Sequence, residues 1–411
     1  MSNKNVPAVR GDGFTQPWVA AQNNDIFTVT NERGFAGLPV LSATQEDGFV
    51  PRSLLGKNIS YNKESEATYK RVRPGDFAIH LRSFQGGFAH SRYEGITSPA
   101  YTTFRFQRPE LHDDLYWKHF FASDSFIQQL SKVTYGIRDG RSIGVDEYFN
   151  EYSVFPSTVE EQQAIGKLFS SLDELLAAHR AKHRTLQQTK TSLLQRLFPQ
   201  DGADEPEMRV GGFTGKWSQF DLGSAAGNWG YGLNAAATVY DNVYKYIRIT
   251  DIDDETRLFN KLALTSPKQR KNIVERYLVG EGDLLFARTG ASVGKAYLYR
   301  ETDENTVFAG FLIRATVCPD FDPEFIFQQT FTDAYWNYVS TASQRSGQPG
   351  MNSQEFQKFT FFAPSLEEQQ AIGAIFTKLD SLIAAEAEYI AKLTQAKTAL
   401  LQKMFVSGDM S

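Results

Sequence analysis

A chain of 411 residues is long enough for two or three ordinary domains, and its 22% charged and 41% apolar residues are those of a globular protein. A single cysteine, Cys318, excludes an internal disulfide and fits a reducing compartment. The polar start M-S-N-K-N-V-P-A-V-R reads as no secretory signal and no apolar run approaches the ~20 residues of a membrane span, so a cytoplasmic location is expected, while the net charge of −5 argues against nonspecific nucleic-acid binding.

In chain order, Pro7-Ala8-Val9-Arg10 leads into Gly13-Phe14-Thr15 and Trp18. Pro74-Gly75-Asp76 then precedes the strand-like run Phe77-Ala78-Ile79, and Leu115 to Leu130 has helical spacing with many aromatics. A long helix is predicted from Pro156 to Phe198. Pro, Gly and acidic residues at 199–206 stop it and form a linker. The order then repeats. Pro206-Glu207-Met208-Arg209 leads into Gly212-Phe213-Thr214 and Trp217. Val243 to Ile249, Asp283 to Arg288 and Ala296 to Tyr299 read as strands, the last two joined by a tight Gly loop, and Glu324 to Val339 as a helix. A second long helix begins at Pro364. The expected division is head 1–155, helix 156–198, head 199–363 and helix 364–408, an α+β chain with a pseudo-twofold internal repeat.

The two helices are nearly one sequence written twice. From Glu160 and Glu367 they run in register without a gap to Leu193-Leu194-Gln195 and Leu400-Leu401-Gln402. Ile165, Phe169, Leu172, Leu176, His179, His183, Leu186, Lys190, Leu193 and Leu197 recur at steps of four and three. Ile372, Phe376, Leu379, Ile383, Glu386, Ile390, Leu393, Lys397, Leu400 and Met404 do the same. That is a heptad seam, and two such helices separated by a head can pair in antiparallel sense. His179 and His183 are one turn apart, as metal ligands can be, but no acidic residue completes a metal motif, so a polar layer in the seam is the plainer reading. Glu-Glu-Gln-Gln-Ala-Ile-Gly is the longest unbroken identity. A spacer does not require it, so it reads as a surface on which one partner docks twice, packing against the heads being the alternative.

No catalytic constellation emerges. Gly290-Ala291-Ser292-Val293-Gly294-Lys295-Ala296 is one residue short of a phosphate loop and lacks the hydroxyl that holds magnesium. Gly230-Tyr231-Gly232 fits a dinucleotide pattern only loosely and reads as a loop. Arg288-Thr289-Gly290 followed by Lys295 could offer side chains and free N–H groups to a phosphate or base edge, and a plain β-turn is the other reading. Arg82-Ser83 stands in a comparable place in the first head. Residues 52–108 carry a basic excess, and Lys268, Arg270, Lys271 and Arg276 cluster in the second head, which favours nucleic acid.

Together, the repeated helix starts at Glu160 to Gly166 and Glu367 to Gly373, the run Gly282 to Gly290 and the run Ser346-Gly347-Gln348-Pro349-Gly350-Met351-Asn352 resemble the DNA-specificity subunit of a type I restriction–modification system. The first head departs from both loops, with His80-Leu81-Arg82-Ser83-Phe84 and Gly140-Arg141-Ser142-Ile143-Gly144 in their places. The resemblance implies two α/β target-recognition domains, each followed by a long helix, the helices pairing as an antiparallel coiled coil. The heads would read a bipartite site in double-stranded DNA and the helices would set its spacer. Arg82, Ser83, Arg248, Arg288, Thr289, Gly290, Lys295, Gly347 and Gln348 would meet DNA. Glu160, Glu161, Gln162, Gln163, Glu367, Glu368, Gln369 and Gln370 would dock two methyltransferase subunits. The chain itself would be non-catalytic, with no metal and no cofactor. S-adenosylmethionine, ATP and magnesium would belong to partner subunits, among them a restriction/translocase subunit, in a bacterial or archaeal cytoplasm. A coiled-coil scaffold without DNA recognition and an autonomous DNA-modifying enzyme remain as alternatives.

Overall fold

The computed structural model describes residues 6–44, 47–55, 63–80, 83–136, 142–200, 202–345 and 347–406. They form two compact units, residues 1–179 with 389–411, and residues 180–388. Each unit therefore holds one head, the first half of the helix that follows it, and the second half of the other long helix. The helices themselves run Val159–Leu197 and Leu366–Met404.

In the first unit, strand Trp18–Gln22 pairs antiparallel with Tyr152–Pro156, bringing the start of the head beside the start of its helix. A four-stranded antiparallel sheet follows, in the order Phe27–Thr30, Thr102–Phe106, Phe77–Ile79, Ala89–His90. One face is covered by helices Asp114–Phe121 and Asp124–Ser131, with Phe27, Phe77, Phe104, Trp117 and Phe121 interlocked largely edge to face. The second unit repeats this plan. Ser218–Asp221 pairs with Thr360–Ala363. Its sheet runs Ala226–Tyr231, Leu312–Val317, Asp283–Ala287, Ala296–Leu298, under helices Pro323–Gln329 and Asp333–Ala342. The heads share a fold although little of their sequence matches. One of the few matches has a local cause. Asp76 and Asp283 each close the turn before the central strand, accepting from Arg73 N at 2.9 Å and Gly280 N at 3.0 Å.

Three sequence expectations need adjustment. The helix expected from Leu115 to Leu130 is two helices, because Ser123 caps the second by accepting from Phe126 N. Thr332 likewise accepts from Tyr335 N and divides the stretch from Glu324 to Val339. Gly230 and Tyr231 lie in a strand with a register shift between Gly227 and Gly230, not in a loop.

The heptad seam is realised. All twenty seam residues named above are buried or half-buried. In the first unit, Phe169 stacks on Phe405 at 5.6 Å, and the Lys397 ammonium bonds Asp173, which also accepts from Lys118 at 3.2 Å. Burial opposes ionisation of Asp173, yet the bond and charge of Lys397, with Lys118, hold its carboxyl below the usual range. In the second unit, Phe198 packs on Phe376 at 5.9 Å, and Lys190 bonds Asp380 at 2.7 Å. Phe198 and Phe405, Lys190 and Lys397, and Asp173 and Asp380 occupy matching positions of the two copies. In each unit the helix halves thus run antiparallel with the same polar contacts across the seam.

His119 lies inside the first unit, between Ser170 Oγ at 3.3 Å and the Phe169 ring. Burial, with the nearby charge of Lys118, lowers its pKa to about 3. His112, stacked on Phe106, is lowered to about 4, again chiefly by burial. A histidine kept neutral in the fold costs nothing above its ordinary value of 6.5 and destabilises as the unfolded chain takes up protons below it. The contribution of these two histidines to the first unit's stability is therefore expected to fall from about pH 6.5 downward, levelling near pH 3. His119→Gln should flatten that slope in acid-titrated urea unfolding. An unchanged slope would assign it to other groups.

Candidate nucleic-acid interface

The helix starts are where sequence identity is longest, and the structure turns most of that identity inward. The lead-in segment of each half clamps the helix of the same half. Arg10 bonds both carboxylate oxygens of Glu161 at 2.7 Å, and Trp18 Nε1 donates to Glu161 at 3.2 Å. Arg209 grips Glu368 in the same way, with its Nε at 2.8 Å. Gln162 accepts from Asp113 N at 3.0 Å and donates to Pro156 O at 3.0 Å. Gln369 repeats both contacts, with Asp322 N at 3.1 Å and Pro364 O at 3.0 Å. The glycines close the motif. A Cβ on Gly166 would lie 2.6 Å from Asp113 Oδ1 and 2.7 Å from Tyr116 N, and one on Gly373 2.4 Å from Asp322 Oδ1. The helix passes too close to the capped start of its head's own helix for any side chain there.

This corrects the docking expectation. Glu161, Gln162, Glu368 and Gln369 are buried against their own heads and present nothing to a partner. Glu160, Gln163, Glu367 and Gln370 are exposed. Helical periodicity explains the split, since positions one and two past the first glutamate turn to the head while the first and fourth face away.

In the second head the two loops singled out in sequence meet. Thr289 and Gly350 form an antiparallel bridge, Gly290 N donates to Pro349 O at 2.9 Å, and Met351 N to Arg288 O at 2.9 Å. Gly290 has φ +74°, and a Cβ there would sit 2.9 Å from Gln348 Nε2, so glycine lets the loops close with Gln348 over the turn. Gly347 and Gln348 are exposed. The Arg288 guanidinium lies 4.9 Å from the Tyr231 ring centre, with no carboxylate bound to it among the described contacts. Arg248 lines the same cleft, its fork held by Asp251 at 2.8 and 2.7 Å.

Two expected DNA contacts are corrected. Lys295 is 4% exposed, and its ammonium bonds Ile252 O and Asp254 Oδ1, each at 2.8 Å. The tight turn at Gly290–Ser292 with Gly294 points it into the head, where it anchors the loop at 252–254. Ser83 is fully buried, and its Oγ accepts from His80 N at 2.9 Å. Arg82, with Leu81, lies outside the described residues, as do Gly140, Arg141 and Ser346. Part of the basic excess in residues 52–108 is spent on carboxylates of the same head. Arg71, Arg73 and Arg105 converge on Glu32, and Arg105 also forks onto Asp76. Sequence reasoning missed Tyr231 and Phe311. The latter is 64% exposed on the turn before strand Leu312–Val317, and its carbonyl accepts from Arg288 N at 3.0 Å. Adjacent Gly310, a turn signal, was the one available.

Residues 233–395 match the family model of the type I restriction modification DNA specificity domain. That stretch is similar to a type I specificity domain. The resemblance read from the repeated helix starts and the two loops is thereby borne out. The specificity domain so matched contains Arg248, Arg288, Gln348 and the start of the second long helix. The fold is similar to a crystal structure of the S subunit of a type I restriction-modification system from M. genitalium. The TM-score is 0.62 at 13% identity, covering 99% of this chain and 100% of that one. An HsdS subunit from Thermoanaerobacter tengcongensis matches at 17% identity with a TM-score of 0.44, over 97% of this chain and 99% of that one. A structure described under complex assembly and conformational transition of the type I R-M system matches at 18% identity with a TM-score of 0.49, over 97% and 100%.

Proposed function

We propose that this chain is the non-catalytic specificity subunit of a type I restriction–modification complex. Residues 1–155 and 199–363 would each read one half of a split target in double-stranded DNA. The observation that carries this reading is the joined pair of loops in the second head. They set an arginine that bonds no carboxylate among the described residues and a glutamine on one exposed rim, inside the matched stretch. Arg to guanine and Gln to adenine are the bidentate pairings that the major groove offers. Co-expression with a type I methyltransferase subunit and genome-wide mapping of modified adenines tests it. A split motif with a fixed gap, absent without this chain, is the expected result; no sequence preference in an assembled complex would leave a scaffold.

The long helices would set the gap between half-sites, and their outer faces would recruit the methyltransferase subunits. With Glu161, Gln162 and their counterparts turned inward, the remaining repeated surface is the outer stripe. Leu168 and Leu175 in one copy are 39% and 38% exposed, and Ile375 and Leu382, at the same positions of the other, 36% and 46%. Apolar residues one heptad apart, exposed in both copies, suit two identical partners packing a helix on each. Leu168→Asp with Ile375→Asp is expected to weaken methyltransferase recruitment about tenfold or more per site, read by titrated co-elution, because each would forfeit a buried apolar side chain. Undiminished recruitment would place the docking surface elsewhere.

A further inference from the structure

Beside Arg288, the second head holds a concave cleft that groove reading leaves unused. It measures about 560 Å³, within the ~300–1,000 Å³ range of small-molecule sites. Its floor is Leu233 and Tyr246, both buried, with the Tyr246 hydroxyl donating to Leu233 O at 2.6 Å. Its rim carries the rings of Tyr231 and Phe311 and the cations of Arg248 and Arg288. The Phe311 turn is held from both sides. Gly310 N donates to Leu233 O at 2.8 Å, Leu312 N to Ala309 O at 2.8 Å, and Arg288 N to Phe311 O. A side chain of that size, kept mostly in water on a braced turn, fills no gap in the core.

We infer that this cleft receives one DNA base rotated out of the duplex stack, held by the Tyr231 and Phe311 rings while Arg248 meets a flanking phosphate and Arg288 reads the neighbouring base in the groove. The inference rests on the DNA-reading assignment above. A duplex groove is filled by a convex element, so a hollow lined with aromatic rings can engage a base only after the base has left the helix. Rings supply stacking that tolerates any base, and the Arg248 cation supplies charge complement to the backbone.

Because rotating a base out costs its pairing and stacking, a mismatch at the right position lowers that cost and tightens binding. The assembled complex of this chain with its methyltransferase subunits would be titrated with duplexes carrying single mismatches across and beside the second half-site. The expected result is one position, other than the methylated adenines, at which a mismatch tightens wild-type binding about tenfold. Phe311→Ala should abolish that gain and Phe311→Tyr should keep it. If wild type binds its target specifically yet no such position exists, or Phe311→Ala retains the gain, the base-receiving role is overturned while DNA reading stands. Failure of wild type to prefer its target over scrambled duplex would overturn both.

Discussion

Replacing Arg288 by Ala is expected to relax recognition at the second half-site alone and to weaken specific binding by about tenfold to a hundredfold. That is the discrimination carried by one bidentate base contact, about 1–3 kcal/mol. The side chain is placed for this. Its backbone is locked by Met351 N and by Phe311 O, and its guanidinium is presented over Tyr231, with no carboxylate bound to it among the described residues. Arg248, by contrast, is forked onto Asp251, so its loss should lower affinity more evenly across sequences. The readout is the methylation motif of the variant. Degeneracy confined to the second half would confirm the assignment; equal loss in both halves would show that Arg288 supports the fold or the complex and reads no base.

The other large effect is expected at the clamp. Glu161→Ala would leave the Arg10 guanidinium and the Trp18 indole without their acceptor at a site where the carboxylate is 1% exposed. Breaking a buried pair from one side costs about 3 kcal/mol or more, a large share of a unit's stability. Glu368→Ala removes the same support from Arg209 in the other unit. Hydrogen exchange should therefore show the first unit loosening in Glu161→Ala and the second in Glu368→Ala, each variant sparing the other unit. If exchange were unchanged in both, these residues would return to the role of a partner-docking surface.

These two cases show where sequence reading succeeds and where it stops. The heptad seam was legible residue by residue, because a helix projects side chains at a fixed angle and burial follows from spacing alone. Strands such as Asp283–Ala287 were legible for the same reason, their apolar run being buried on both faces. The internal repeat was legible because the copies match letter for letter. What a repeated motif is for was not. Glu-Glu-Gln-Gln-Ala-Ile-Gly carries four polar residues in a row, which in a sequence resembles an exposed surface. Only the approach of Arg10, Trp18 and Asp113, at least 49 positions away from their partners, turns two of the four inward.

Lys295 and Ser83 make the same point from the other direction. Both residue types suit a phosphate, yet the path of the chain aims one at Asp254 and encloses the other under His80. Phe311 is the converse, an apolar residue that the turn holds in water. The sequence by itself determined the order of head and helix, the antiparallel seam and the family resemblance, since periodicity and identity are local or repeated properties of the chain. Tertiary structure alone decided which polar side chains remain free to meet DNA or a partner. That depends on which distant backbone and carboxyl groups reach each side chain first, and no spacing along the chain records it.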